Sequence, residues 1–555
     1  MRVSTWRNLR AVFAATLVGA GAVSFGLSTS ADDGRRGDRR DGRGDKGEAL
    51  VITNGRIHTM DATNRVVDEV LIKNGRFVEV GRRVDRSDKP KVIDVGGRTV
   101  IPGIIDAHNH IVLVGNRPGY HVSMEHVFTI PDAIAAYQAY AATVPRGGFI
   151  TTIGPISAMQ FAEQRLPNLS ELDAIGHPVY IQAAQGGAST NSAGRTWLQF
   201  AGVTVAADGS IPGGASGTTL ALRLLRERLL TPESRKRTAA EALQYFTTLG
   251  ITTHKDAGAF HSALPAGGIA TENVYTMHRP FLALDREKAL PARLRIDFLH
   301  QDPANDPAIP TLAERLRNSF PFFGNDWLKT GGIGEFTGGG VFGLRAIAAE
   351  GWRAEDHSLN LTSFNNLVMD REIVNAEIPI NGLRWIISHV PQVTEDLVNR
   401  FKALGGGLLV GWGPTRTRAA NAPPVGPPYR MLYDNGIPLG YHSDGGDITV
   451  INPWLNFYTM ITGRNLRGDL VNEGQRLTRQ ETMRLATAAN KWFIWEDDIG
   501  SIEKGNHADL VVLDRDFFSV PDAQIPRIQS VLTLIGGKVM HDANVVRVPR
   551  SLDGR

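Results

Sequence analysis

Short apolar runs that end in polar turns recur along this chain from residue 49 onward. The runs ALVIT and VLIK each lead into an Asn-Gly pair, at Asn54 and at Asn74. Asn-Gly between β-rich runs is a strong hairpin signal. Similar runs return near the other end of the chain, at 510–513 and 530–534. This pattern predicts one small composite β-sandwich domain, formed by residues 49–103 and 500–549.

Between these ends, helical stretches alternate with apolar strands. Residues 233–249 and 395–404 have the helical pattern, and such alternation is typical of βα units around a parallel sheet. The segment between 112 and 250 is longer than one βα unit, so we predict insertions around residues 113–250. The predicted fold class is therefore α/β, with a distorted (β/α)8 TIM barrel over residues 104–499 beside the composite β-sandwich.

The apolar run that starts at Val100 stops at two histidines, His108 and His110. Residues i and i+2 of a strand point to the same face, so both imidazoles can reach one metal ion. A His-x-His pair also arises by chance in a chain with 15 histidines. The metal interpretation therefore depends on further donors elsewhere in the sequence.

Further donors stand at the ends of other strand-like runs. Taken singly, each has an ordinary explanation as a solvated lysine, a loop or core histidine, or a turn-forming aspartate before glycine. Taken in order, they match the way a (β/α)8 barrel builds a metal site on its C-terminal face. The additional candidates are Lys329, His357, His389 and Asp444.

These motifs resemble the amidohydrolase superfamily, and more narrowly its amidohydrolase-3 branch, which includes the N-substituted formamide deformylase-like proteins. The resemblance runs from Ala49 to Val548. Three segments carry it: residues 102–110, residues 250–258 and the closing segment 500–514, which reads GSIEKGNHADLVVLD.

The resemblance implies a role for each candidate. His108 and His110 match the metal ligands of the first strand, and His357 and His389 match the later histidine ligands. Lys329 matches the lysine that is carboxylated in related enzymes and bridges two metals. The cofactor implied is one or two divalent ions, with zinc expected. Asp444 matches the aspartate that binds metal and moves the proton of the attacking water.

The chain departs from the family pattern at three places. Residues 183–192 have glycine where relatives often carry a histidine, and Lys255 precedes Asp-Ala-Gly where histidine is usual. His254 is displaced by one position and should face the other side of its strand. After Lys329, a Gly-Gly-Ile-Gly-Glu run replaces the usual Asp-Gly. These departures leave the carboxylation of Lys329 open and make Glu335 an alternative bridging ligand.

Composition narrows the function classes. The chain has 555 residues, of which 42% are hydrophobic, enough for one large barrel and a smaller domain. A net charge of +3 is too small to indicate nucleic acid or an acidic membrane as partner. The absence of cysteine excludes disulfides, thiolate metal sites and a cysteine nucleophile. We expect a small-molecule substrate, and a homo-oligomer stays open.

The first residues have the pattern of an export signal. Three arginines precede an apolar stretch at 11–27, and small residues at 29–31 resemble a cleavage site. We predict a signal peptide over residues 1–31, a disordered charged linker over 32–48 and a periplasmic or extracellular protein. After cleavage we expect no stable membrane association. An uncleaved membrane anchor is the competing interpretation.

Two classes of function stay open. The favoured one is an exported metal-dependent hydrolase that cleaves a C–N bond of an amide, formamide or cyclic amide. A divalent ion lowers the pKa of bound water towards about 7, and Asp444 is the candidate catalytic base and acid. The alternative is a non-hydrolytic isomerase or lyase, or a catalytically silent binding protein, on the same scaffold.

Overall fold

The computed structural model describes most of the chain after the first 48 residues. The predicted signal peptide, residues 1–31, and the predicted linker, residues 32–48, lie outside the described residues. Within the described ranges, every helix is too short or too polar to span a bilayer. The described residues are 49–549 without 185, 259–276, 301–310, 338–339, 412, 420–421 and 447–448.

The strands follow the apolar runs seen in the sequence. In chain order they are β1 (Leu50–Thr53), β2 (Arg56–His58), β3 (Val66–Val67), β4 (Glu69–Lys73), β5 (Arg76–Gly81), β6 (Lys91–Asp94), β7 (Thr99–Pro102), β8 (Ile104–Asn109), β9 (Tyr120–Val122), β10 (Ile150–Thr152), β11 (Val179–Gln182), β12 (Ala188–Thr190), β13 (Ser210–Ile211), β14 (Ile251–Asp256), β15 (Arg293–His300), β16 (Leu328–Thr337), β17 (Glu355–Ser358), β18 (Ile386–His389), β19 (Gly407–Val410), β20 (Leu439–Tyr441), β21 (Leu510–Leu513), β22 (Ser530–Ile535) and β23 (Lys538–Asp542).

The α-helices include both stretches predicted from the sequence. In chain order they are α1 (Ile111–Gly115), α2 (Ile130–Ala141), α3 (Leu169–Leu172), α4 (Ser192–Phe200), α5 (Thr218–Leu229), α6 (Pro232–Thr247), α7 (Arg279–Arg286), α8 (Leu312–Asn318), α9 (Gly340–Ala349), α10 (Leu361–Glu377), α11 (Glu395–Ala403), α12 (Tyr429–Asn435), α13 (Pro453–Thr462), α14 (Arg479–Leu485) and α15 (Lys491–Ile494).

Strands from the two ends of the described chain share one sheet. Its order is β23-β22-β21-β7-β2-β3, with β21 antiparallel to β7. A separate four-stranded sheet has the order β5-β4-β1-β6, and its strands alternate along the chain with β2, β3 and β7. Apolar side chains of both sheets form a single buried cluster that includes Leu50, Ile57, Val512 and Leu532. The pairing of the two ends therefore agrees with the sequence pattern, while the domain boundaries stay predictions.

Eight parallel strands form the centre of the fold. They make two four-stranded sheets, β8-β14-β15-β16 and β17-β18-β19-β20, and helices α6 to α12 lie between successive strands along the chain. Between the sheets, the Ile333 amide donates to the Arg353 carbonyl at 2.9 Å. At the other seam, the Asp444 amide donates to the His108 carbonyl at 3.0 Å. This is the α/β arrangement that the pattern predicted, and a closed barrel stays a prediction.

The long segment after β8 contains a further sheet. Its order is β13-β12-β11-β10-β9, and it spans residues 120–211. Its core is a separate apolar cluster that includes Ile150, Val179 and Ile181. This sheet lies inside the range where insertions were predicted. Along the chain, this extra sheet is therefore inserted between the first and second parallel strands, β8 and β14.

The side chain of Asn490 joins the first and last parallel strands. Its amide nitrogen donates to the carbonyls of Ile105, at 2.6 Å, and Tyr441, at 2.8 Å, and its oxygen accepts from the Tyr441 amide at 3.1 Å. All three partners are buried main-chain groups. One side chain therefore satisfies polar groups on both sides of the seam.

We expect Asn490→Ala to lower the free energy of unfolding by at least about 2 kcal/mol, because each buried polar group left unsatisfied costs about 1–3 kcal/mol. Thermal and denaturant unfolding measure the change. Asn399→Ala is the matched control, since Asn399 is exposed and its side-chain oxygen accepts from half-buried Asn435 at the surface. A stability equal to that of the control would contradict the role given to Asn490.

Candidate metal centre

The first strand and the end of the last one bring three of the predicted ligands together. His108 is in the fully buried strand β8 and His110 follows it directly. Asp444 lies three residues after β20, with a φ of 55° in the left-handed region, which non-glycine residues seldom adopt. Its Oδ1 is 3.3 Å from the Nε2 atoms of both His108 and His110. The structure therefore brings both imidazoles of the predicted His-x-His pair to the same carboxylate oxygen.

Glu335 completes this group of side chains. It lies near the end of β16, and its Oε2 is 2.8 Å from His108 Nε2 and 3.5 Å from His110 Nε2. Tetrahedral zinc with bonds of 2.0–2.1 Å would hold its ligand atoms about 3.4 Å apart. His108 Nε2 and Glu335 Oε2 are both buried, and neither atom has a partner with good hydrogen-bond geometry. The donor set of His108, His110, Glu335 and Asp444 therefore fits a divalent cation.

A second group of ligands shares Glu335 with the first. His357 and His389 are near the ends of the neighbouring parallel strands β17 and β18. His357 Nδ1 is 3.3 Å from Glu335 Oε1, and His389 Nε2 is 3.8 Å from Glu335 Oε2. Glu335 belongs to both groups. Its carboxylate is therefore placed to bridge two ions.

The charges of this cluster are strongly coupled. Burial alone would lower the pKa of His110, but its bonds with Asp444 and Glu335 raise that pKa to about 10. Burial would raise the pKa of Asp444, but His389, His108 and His110 hold it well below its ordinary range. Burial lowers the pKa of His389 to about 4. Without metal, protons on imidazoles thus balance the carboxylates at neutral pH.

The remaining ring nitrogens of the first pair have partners that fix the rings. His108 Nδ1 lies 2.5 Å from Glu355 Oε1, and His110 Nδ1 lies 2.7 Å from the Gly258 carbonyl. Metal-binding histidines commonly donate their second ring N–H to a carboxylate or a carbonyl in this way. These contacts direct both Nε2 atoms toward Asp444 and Glu335.

The structure corrects the prediction for Lys329. This residue is second in the ten-residue strand β16, and its Nζ bonds to Glu496 Oε1 at 3.0 Å with 24% of the side chain exposed. The ligands stand at the carboxyl ends of the strands. Glu335 is six residues further along, roughly 20 Å at 3.3 Å per residue. Glu335, the alternative bridging ligand, therefore occupies the position that was assigned to Lys329.

Two residues at this site had no role in the sequence prediction. Glu355 is two residues before His357 in the same strand, and a charged residue in a buried strand was the available signal. His442 is fully buried, and its ring centroid is 5.0 Å from that of His108 and 4.9 Å from that of His389. His254 faces away from the cluster, as predicted, and bonds to Asn109.

Comparison with known proteins identifies the family of the chain. The amidohydrolase-3 profile, described as the amidohydrolase family, matches residues 91–541. The chain therefore belongs to the amidohydrolase family, as its motifs indicated.

Two curated relatives match parts of the chain. N-substituted formamide deformylase from Arthrobacter pascens is 31% identical over 131 residues, which are 23% of this chain and 24% of that protein. Imidazolonepropionase from Symbiobacterium thermophilum is 33% identical over 159 residues, 29% of this chain and 31% of that protein. The matches thus span less than a third of either relative.

Two solved structures share the fold over most of the chain. An uncharacterized metal-dependent hydrolase from Pyrococcus furiosus has a TM-score of 0.56 at 18% identity and covers 85% of this chain and 100% of its own. A zinc-complexed atrazine chlorohydrolase from Arthrobacter aurescens TC1 has a TM-score of 0.53 at 14% identity, with 89% and 95% covered. At these identities the likeness is one of fold.

We expect zinc binding at His108 and His110 to release about one to two protons at pH 7, because coordination requires neutral imidazoles. His110, with a pKa of about 10, is protonated in the metal-free protein. The apparent zinc affinity should therefore rise with pH up to about 10. Calorimetric titration in two buffers of different protonation enthalpy measures the release. His177→Gln, outside the cluster, should release the same number, and a binding enthalpy independent of buffer would contradict the charge assignment.

Proposed function

We propose that this protein is a metal-dependent hydrolase that cleaves the C–N bond of an amide, formamide or cyclic amide. The observation that carries the proposal is the position of Asp444, whose Oδ1 lies 3.3 Å from the Nε2 atoms of both His108 and His110. A carboxylate at that place can bind the ion and also take a proton from a water beside it.

His108, His110, Glu335 and Asp444 would hold one divalent ion, and His357 and His389 would hold a second one through Glu335. When bound, a divalent cation lowers the pKa of a coordinated water towards about 7. Asp444 then accepts the proton of the attacking water and returns it to the leaving nitrogen. Among the described residues, Glu335 is the one carboxylate besides Asp444 that is grouped with both His108 and His110.

The exposure of the ligands indicates the direction from which the substrate arrives. The side chain of His357 is 32% exposed, while those of the other five ligands are at most 3% exposed. The substrate therefore approaches across His357 and meets Asp444 on the inner side of the centre. This leaves His357 as the ligand most open to exchange when substrate binds.

The names of the relatives support the choice of substrate class. One is a deformylase of N-substituted formamides and another is an imidazolonepropionase. The proposal also includes zinc as the ion, a closed (β/α)8 barrel as the scaffold and the composite β-sandwich as a separate domain. We also propose that the protein is exported to the periplasm or the cell exterior, because residues 1–31 have the pattern of an export signal.

We expect the purified protein to hydrolyse at least one member of a panel of N-substituted formamides, cyclic amides and simple amides, with activity lost on chelation and restored by zinc. Asp444→Asn should lower kcat by at least ~10²-fold, because the nearly isosteric amide cannot act as a base, with little change in Tm. Steady-state kinetics, metal analysis and thermal unfolding measure the three effects.

Asp94→Asn is the matched control, because Asp94 is an exposed aspartate at the end of strand β6, in the four-stranded sheet β5-β4-β1-β6. A purely turn-forming Asp444 would instead give nearly full activity and a stability change of about 1 kcal/mol or less. A fully active Asp444→Asn enzyme with normal metal content would refute the hydrolytic role of this residue.

A further inference from the structure

Four fully buried charged side chains, none of them a proposed metal ligand, reach the ligand His108 through Glu355. They form a chain of contacts, which we term the interior charge network. Lys255 Nζ is 2.9 Å from Asp297 Oδ2 and also bonds to Glu355 Oε2, and Arg353 Nη2 is 3.3 Å from Asp297 Oδ1. All four side chains are 0% exposed. The network holds two cations and two anions and so is neutral as a whole.

The glycine run of β16 makes room for this network. A Cβ at Gly331 would lie 1.9 Å from Asp297 Oδ1, and one at Gly334 would lie 2.7 Å from Glu355 Cβ. The Gly332 amide donates to Asp297 Oδ1 at 2.6 Å. This run, which replaces the usual family sequence after Lys329, therefore accommodates both buried carboxylates.

The donors around Glu355 determine which nitrogen of His108 carries its proton. Lys255 and the Ser388 hydroxyl both donate to the Glu355 carboxylate, and a lysine ammonium has no acceptor capacity. Glu355 is thereby kept as an acceptor, so the contact of 2.5 Å from His108 Nδ1 places a proton on that nitrogen. The lone pair of His108 Nε2 is then left for the ion that Glu335 and Asp444 face.

We propose that Lys255 and Glu355 are positioning residues for the metal centre. Asp297 holds Lys255, Lys255 holds the Glu355 carboxylate in place as a hydrogen-bond acceptor, and Glu355 fixes the tautomer and the ring orientation of His108. The inference rests on the metal site of the proposed function and adds residues that the ligand set does not contain. It also gives a role to Lys255, which stands where the family pattern has histidine.

A purely structural role is the competing explanation, because breaking a buried ion pair destabilises a protein wherever it lies. Metal affinity separates the two explanations. Loss of a second partner of a ligating histidine typically weakens metal binding 10–100-fold, whereas a structural pair remote from the ligands should change only the stability. The test therefore measures Co²⁺ binding by the metal-free protein, without substrate.

We expect Glu355→Gln and Lys255→Met each to weaken Co²⁺ binding by about 10–100-fold and to change the visible absorption spectrum of the Co²⁺ protein. In the double variant the losses should be far from multiplicative, because both residues act through His108. The double variant also removes one cation and one anion together. It therefore decides the matter if Lys255→Met alone does not fold.

Asp509→Asn is the matched control. Asp509 is a buried carboxylate that accepts hydrogen bonds from buried Arg293 at 2.7 Å and 3.0 Å. Arg293 is the first residue of β15, so this ion pair lies at the opposite end of the strands from the ligands. The substitution should lower Tm and leave the Co²⁺ affinity and spectrum unchanged.

Wild-type affinity and spectrum in folded Glu355→Gln and in the double variant would overturn the positioning role and leave the proposed hydrolase intact. A wild-type protein that binds no Co²⁺ would overturn both. Weakened binding in the Asp509→Asn control to the same degree would also refute the inference, because the effect would then follow from stability alone.

Discussion

The structure depends on two buried carboxylates, Glu335 and Asp444, that face histidine rings in the interior of the parallel strands. An isolated ionised carboxylate is very costly to bury, and the cost is offset only by partners of opposite charge and by hydrogen bonds. Both oxygens of Glu335 and Oδ1 of Asp444 therefore lie within 4 Å of an imidazole nitrogen. This requirement accounts for the convergence of strand ends from widely separated parts of the chain. It also accounts for the raised pKa of His110 and the lowered pKa of Asp444.

The same requirement explains why the backbone is unusual at these positions. His389 and Asp444 have φ values of 74° and 55°, in a region that costs non-glycine residues of order 1–3 kcal/mol unless the surroundings impose it. Around Asp444 the surroundings do so: Ser443 donates to Asp106 through its amide, at 2.9 Å, and its hydroxyl, at 2.6 Å. The His110 amide donates to the Gly445 carbonyl at 2.7 Å. Strand β8 therefore holds the turn that carries the proposed base.

Local patterns in the sequence were sufficient where the chemistry is local. Strand periodicity places His108 and His110 on one face, and the apolar runs before His389 and Asp444 identify the strand ends. The assignment of Lys329 as a metal ligand was wrong because sequence alone did not show that β16 continues through a glycine run to Glu335. Glu355 was missed because its partner His108 is 247 residues away in the chain. Only the arrangement of the two four-stranded parallel sheets in space makes that contact visible.

Anomalous diffraction from crystals of the zinc-loaded protein, recorded on both sides of the zinc absorption edge, tests the central claim most directly. The account predicts a peak between His108 Nε2, His110 Nε2, Glu335 and Asp444, and a second peak on the His357 and His389 side of Glu335. A protein that carries stoichiometric zinc with no peak at this cluster, or with its peak beside Lys329 and Glu496, would contradict the account.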